Sequence, residues 1–103
     1  RDFIYVEDVI KAMVLAGIKT KNVISGVYNV GTNKTTSLRQ VIRSIKSSGT
    51  EVKESYSPNA NTGQNSFSLD ATRFRQRFKW APKTTLQPGI KKTLLWFQKE
   101  VTP

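Results

Sequence analysis

Residues 1–13, RDFIYVEDVIKAM, decide how the rest of the chain is read. Phe3 to Val6 is a short apolar run with strand character. It passes without a turn into Glu7 to Ile18, where Val9, Ile10, Met13 and Val14 fall on one helical face. Asp8 stands just before that apolar set. A carboxylate there accepts hydrogen bonds from first-turn amides and opposes the positive helix end, so Asp8 is read as a cap and not as a catalytic acid. No initiator methionine, leader or tail precedes Phe3, which predicts a piece cut from a larger architecture.

Downstream, GIKTKN turns the chain and GVYNVG (26–31) reads as a compact strand, with Val27, Tyr28 and Val30 packing on two covered faces as in a parallel sheet. TNKTTS leads to Ser37, which with Gln40 has the spacing of a capping box. Leu38, Val41, Ile42 and Ile45 follow on one helical face, with Arg39, Arg43 and Lys46 outside. EVKESYS (51–57) alternates as an exposed strand does. PNANTGQNS (58–66) lacks apolar residues apart from Ala60 and reads as a surface loop, the natural place for binding groups.

FSLDATRFRQRFKW (67–80) predicts an extended entry, an Asp70 cap and a short helix ending near Phe78, with Phe74 and Phe78 four apart and Trp80 as an anchor. Arg73, Arg75 and Arg77 alternate with the aromatics, but base stacking needs exposed rings and these are spaced as core residues. A last helix follows, with Thr85 as N-cap, Pro88 in the first turn, and Ile90, Leu94 and Phe97 on the buried face. Asn29 secures backbone at the end of its strand.

Composition narrows the chemistry. The chain has 103 residues, so it holds one small domain or part of one, and 37% hydrophobic content with ten aromatic residues supports a packed core. Cysteine and histidine are both absent, which removes disulfides, thiolate chemistry, the commonest general base and the commonest metal ligand, so no metal site is expected. No apolar run approaches the roughly 20 residues needed to span a bilayer. The lack of cysteine fits the cytoplasm. Seventeen basic against seven acidic residues give a formal charge of +10 and invite a nucleic-acid reading, yet no nucleic-acid motif accompanies the charge and most cations fall on polar helix sides.

The element order, with RDFIYVEDVIKAM, GVYNVG followed by TTSLRQVI, and SLDATRFRQRFKWAPKTTLQPGIKKTLLWF, resembles the C-terminal part of the extended short-chain dehydrogenase/reductase family, the NAD-dependent sugar-nucleotide epimerases and dehydratases. The resemblance runs over essentially the full chain. It implies an α/β fold class: a small mixed domain of a few short strands and about four helices over residues 1–103, substrate-side, without the Rossmann half.

The resemblance also implies NAD as cofactor of the complete enzyme, held by a Gly-x-x-Gly-x-x-Gly turn. The six glycines, at 17, 26, 31, 49, 63 and 89, never take that spacing. The family's Tyr-x-x-x-Lys pair is likewise missing: Val9, Thr32 and Ala60 follow Tyr5, Tyr28 and Tyr56 at the fourth position, so no catalytic residue is assigned. By resemblance, Arg1 contacts the diphosphate of a UDP- or dTDP-sugar, a task suited to a planar guanidinium. The family's Pro-Arg-x-Gly-Asp loop is altered here to Pro58-Asn59 and Gly63-Gln64, leaving Asn59, Asn61 and Gln64 as candidate substrate contacts or as solvated loop residues.

The leading expectation is therefore a substrate-side fragment, inactive alone. Against it stand a stand-alone binding module, homo-oligomeric so as to cover the faces a Rossmann half would bury, and a basic nucleic-acid-binding protein.

Overall fold

The structure is a computed structural model that describes residues 1–19, 25–58 and 66–100. Four helices form in order: α1 (Val6–Ile18), α2 (Leu38–Ser47), α3 (Thr72–Phe78) and α4 (Leu86–Glu100). α2 packs on α4 and α1 on α3.

The start of α2 follows from local chemistry. The Gln40 amide donates to Ser37 Oγ at 3.1 Å and the Ser37 amide donates to Gln40 Oε1 at 2.8 Å, so both halves of the expected capping box are made. From the other side, Gln87 Nε2 donates to the Ser44 carbonyl (3.2 Å) and to Ser48 Oγ (3.1 Å), tying the first turn of α4 to the end of α2. Thr85 lies immediately before α4 and its carbonyl accepts the Gly89 amide at 3.1 Å. Pro88 sits in the first turn, where its missing N–H has no intrahelical partner to lose.

The core is aromatic. Phe74 and Phe78 stack with ring centroids 4.5 Å apart, while Tyr28 meets both edge-on and Trp80 meets Phe74 edge-on at 5.5 Å. Phe74, Phe78 and Trp80 with Ala12 and Ala71 are the buried apolar set, as the four-residue spacing of the phenylalanines predicts, and half-buried Tyr28 packs against it.

The expected α/β class is not what the structure holds: among the described residues there is no β-strand. A strand is defined by a neighbour that completes its hydrogen-bond ladder, and each extended segment here is held by other means. Phe3 to Tyr5 is extended, but its anchorage is an exchange between Arg1 and Thr36, in which the Arg1 nitrogen donates to the Thr36 carbonyl (2.9 Å) and the Thr36 amide to the Arg1 carbonyl (2.8 Å). Residues 26–31 have one covered face, not two: Tyr28 enters the core while Val27 points to solvent. The 51–57 segment is fastened by side chains, Lys46 Nζ to Glu54 Oε1 at 2.7 Å and Tyr56 Oη to Glu54 Oε2 at 2.9 Å.

Two helix expectations also change. On α1, Ile10, Met13 and Val14 of the apolar face are exposed and Val9 is half-buried, and the side toward α3 buries Asp8 and Ala12. On α4, Ile90 and Leu94 are half-buried as expected, but Phe97 is exposed beside Trp96. The molecule is a flat slab of 50 × 35 × 20 Å with a radius of gyration of 16.5 Å, wider than the roughly 13 Å of a closed globule of this length.

Candidate functional site

Asp2 is the joint that sets the position of Arg1. Its carboxylate accepts from the amides of Thr32 (3.1 Å), Asn33 (3.0 Å) and Leu69 (3.0 Å), and from the Thr32 hydroxyl. Burial alone would raise the Asp2 pKa, but the hydrogen bonds from Leu69, Thr32 and Asn33 outweigh it and hold the carboxyl below its ordinary value. Asn33 takes the left-handed conformation (φ 58°) that turns its amide toward the carboxylate. Gly31 has no room for a side chain, since a Cβ would lie 2.7 Å from Leu69 Cβ and 2.9 Å from Asp2 Oδ2.

This joint fixes the 1–3 segment against the 32–36 loop and places Arg1 on the surface, its backbone paired with Thr36. Between that loop and the 82–86 turn opens a cavity of about 280 Å³, lined among others by Phe3, Thr32, Thr36, Gln40, Thr84 and Leu86. Its walls combine threonine hydroxyls with apolar side chains, suited to sugar hydroxyls or a phosphate ester. Arg75 reaches the same loop, with Nη2 donating to the Thr32 carbonyl at 3.2 Å, while its Nε is buried without a partner.

The 82–86 turn has its own anchor. The Asp8 carboxylate accepts the amides of Lys83 (3.1 Å) and Thr84 (3.0 Å), and the Asp8 carbonyl accepts Trp80 Nε1 at 3.0 Å. Asp8 is therefore not the cap of α1 that its position suggested. The residue at the N-cap is Tyr5, with no side-chain capping bond, and Asp8 instead satisfies partly buried backbone donors more than seventy residues away. Asp70 is a closer match to expectation: it accepts the Thr72 hydroxyl and the Thr72 amide (2.9 Å), with Ala71 at the N-cap of α3, and these bonds, the hydroxyl's above all, hold its pKa below the ordinary value.

Of the four residues expected to meet substrate, the structure places Arg1 at the rim of the 32–36 loop. Asn59, Asn61 and Gln64 lie outside the described residues. The positioning roles of Asp2 and Asp8 were missed. The one signal available beforehand was the RD and ED pairs themselves, each an acid set into an otherwise apolar stretch. No helix among the described residues is long and apolar enough to cross a membrane.

No protein-family model matches the chain. It is 32% identical over 98 residues to UDP-arabinose 4-epimerase 1 of Arabidopsis thaliana, covering 93% of this chain and 23% of that one. The structure superposes with TM-score 0.84 on the UDP-glucose 4-epimerase of Thermotoga maritima solved with UDP-glucose, at 30% identity over 98% of this chain and 32% of that chain. The Bordetella bronchiseptica enzyme WbmF, solved with NAD+ and UDP, matches with TM-score 0.70 at 25% identity, over 98% of this chain and 29% of that chain. The chain thus spans 23% to 32% of the length of these proteins.

Proposed function

Because the chain belongs to the extended short-chain dehydrogenase/reductase family of sugar-nucleotide epimerases and dehydratases, we propose that it supplies the substrate side of such an enzyme. In this reading it binds the diphosphate and sugar of a UDP- or dTDP-sugar and is inactive alone. The observation that carries the reading is the TM-score of 0.84 against an epimerase solved with UDP-glucose.

Arg1 is the cation we assign to the diphosphate. Its backbone is pinned to Thr36, and the Asp2 joint next to it fixes where a guanidinium can reach. Thr36 and Thr84, which line the adjoining cavity, are the hydroxyl residues we assign to the sugar, the Thr32 hydroxyl being taken by Asp2 and the Lys34 amide. Asn59, Asn61 and Gln64 are the loop amides we assign to the same substrate.

NAD is the cofactor of the complete enzyme in this reading, and these residues do not fit its pyrophosphate. α1 opens with the carboxylates of Glu7 and Asp8, Ser37 already takes an amide at the start of α2, and no glycine turn leads into either helix. No proton-transfer step is assigned to the chain, and the cytoplasm is the compartment this reading favours.

The test is an amide NMR titration of the chain with UDP, UDP-glucose and a short DNA duplex at low and physiological salt. Expected are shifts localised around Arg1 and the 59–64 loop, selective for the nucleotide sugar and lost in Arg1→Ala. Duplex binding that fades with salt, with no response to UDP-glucose, would overturn the reading in favour of an electrostatic module.

A further inference from the structure

Among the described residues, α2 is the only helix that touches α4. Toward its C-terminal end, Leu95, Trp96 and Phe97 stand 55%, 55% and 51% exposed. Lys91, Leu95 and Lys99 recur every fourth residue and so share one exposed stripe, and Lys92 and Trp96 repeat that spacing one position on. Trp96 meets Phe97 edge to face, with ring centroids 5.1 Å apart. Lys92 is drawn toward the Tyr5 ring, 5.6 Å from its centroid, which leaves Lys91 and Lys99 as the cations that bracket Leu95 and Trp96. The only acid in α4 is Glu100, its last residue.

We propose that this face of α4 docks on the surface of a membrane that contains anionic phospholipid. The proposal goes beyond the function assigned above and does not depend on it. In this arrangement α4 lies along the surface, Leu95 and Trp96 enter the boundary between headgroups and acyl chains, and the ammonium groups of Lys91 and Lys99 stay among the phosphates while their methylene stems cover apolar surface. Two observations select this occupant. Cations set around exposed apolar side chains complement a surface that is negative outside and apolar beneath, whereas a nucleic acid offers phosphates but no apolar layer for Leu95, and part of the Trp96 ring is already engaged by Phe97. A second copy of the chain is disfavoured by charge, since Lys91 and Lys99 would meet their own kind on a molecule of formal charge +10.

The experiment sediments the 103-residue chain with phosphatidylcholine vesicles made with and without phosphatidylserine, at low and physiological salt. Wild type should bind only the vesicles that carry phosphatidylserine, and more weakly as salt rises. Lipid brominated on its acyl chains should quench the tryptophan emission, a signal that belongs to Trp96 because Trp80 is shut in the core at 5% exposure. Lys99→Glu should weaken binding at least about tenfold, by exchanging a cation near the surface for an anion. Leu95→Glu should do the same by placing a carboxylate where an apolar side chain entered.

Arg43→Glu, which makes the same charge change at an exposed site on α2, is the control and should weaken binding less than about threefold. Both α4 sites are exposed, so the helical circular dichroism of the chain should survive their replacement. Should Leu95→Glu lose it, Lys99→Glu in the last turn and the brominated-lipid quenching of the wild type carry the test. No binding of wild type to either vesicle, binding without quenching, or equal losses in Lys99→Glu and Arg43→Glu would each overturn the proposal. An affinity for duplex DNA that Leu95→Glu and Lys99→Glu both lower, with no binding to vesicles, would overturn it in favour of a nucleic-acid surface.

Discussion

Trp80 and Asp8 are joined through the indole nitrogen of one and the main-chain carbonyl of the other, 3.0 Å apart and buried. The Asp8 carboxylate is thereby left free to take the amides of Lys83 and Thr84, so one residue of α1 holds both the aromatic core and the turn into α4.

Asp8→Ala should therefore be among the most damaging single changes. It strands the two amides of the 83–84 turn, each at a cost of about 1–3 kcal/mol when no water replaces the acceptor. Trp80→Phe keeps the carboxylate and most of the packing, and should cost less than Asp8→Ala. Urea denaturation of the two variants checks the order.

The Asp2 joint should make the fold acid-sensitive. The folded pKa of Asp2 lies below its unfolded value, so its contribution to stability is fully present above about pH 4 and is lost as pH falls through the lowered folded pKa. Asp70 and Glu54 are shifted in the same direction, Glu54 mainly by its hydrogen bond to Lys46, but both are exposed to solvent screening. Asp2→Asn should lower stability at neutral pH and flatten the slope below pH 4, as read from urea midpoints across the acid range.

Two glycines should respond with opposite sign to alanine. At Gly31 the new methyl would press on Leu69 Cβ and the Asp2 carboxylate, two residues tied to each other by the Leu69 amide's hydrogen bond, and the overpacking should cost about 1–3 kcal/mol. At Gly89, inside α4, the methyl would meet Thr84 and Tyr5 no closer than 3.4 Å. Helix propensity then dominates, and Gly89→Ala should leave stability unchanged or raise it by up to about 1 kcal/mol. In thermal melts Tm should fall for Gly31→Ala and stay level or rise for Gly89→Ala.

At the start of α2, Ser37→Ala removes the acceptor of the Gln40 amide and should cost about 1 kcal/mol, while Ser37→Gly should cost only a few tenths. At the end of α3, Lys79 sits in the left-handed region at φ 54° and ψ 45°, so Lys79→Gly should stabilise by about 1 kcal/mol. Equilibrium unfolding measures both.

What was legible in the sequence was what neighbours in sequence decide. The Ser37–Gln40 box needs only three residues of spacing, and the Phe74–Phe78 pair only one helical turn, and both stand as expected. The strands at Phe3 to Val6, 26–31 and 51–57 were misread because extended propensity does not supply the adjoining strand that makes a ladder. Asp8 was misread for a related reason: its place in the first turn is visible locally, whereas its partners Lys83 and Thr84 are close only in space. The apolar periodicity of α1 was correct as a pattern, but periodicity does not say which surface covers it. For the candidate site, Arg1 was expected from a motif, and the acid beside it, which fixes its backbone, came to light only with the hydrogen bonds to Thr32, Asn33 and Leu69.

The reach of the Asp8 clamp also sets an order of events in time. α1 precedes the other three described helices, yet the amides that its carboxylate needs belong to residues 83 and 84. During synthesis this helix can wind soon after it leaves the ribosome, but its deepest anchor must wait until some seventy-five further residues have emerged. Through that interval Asp8 stays hydrated and the aromatic core is unbuilt, because Phe74, Phe78 and Trp80 emerge only shortly before Lys83 and Thr84.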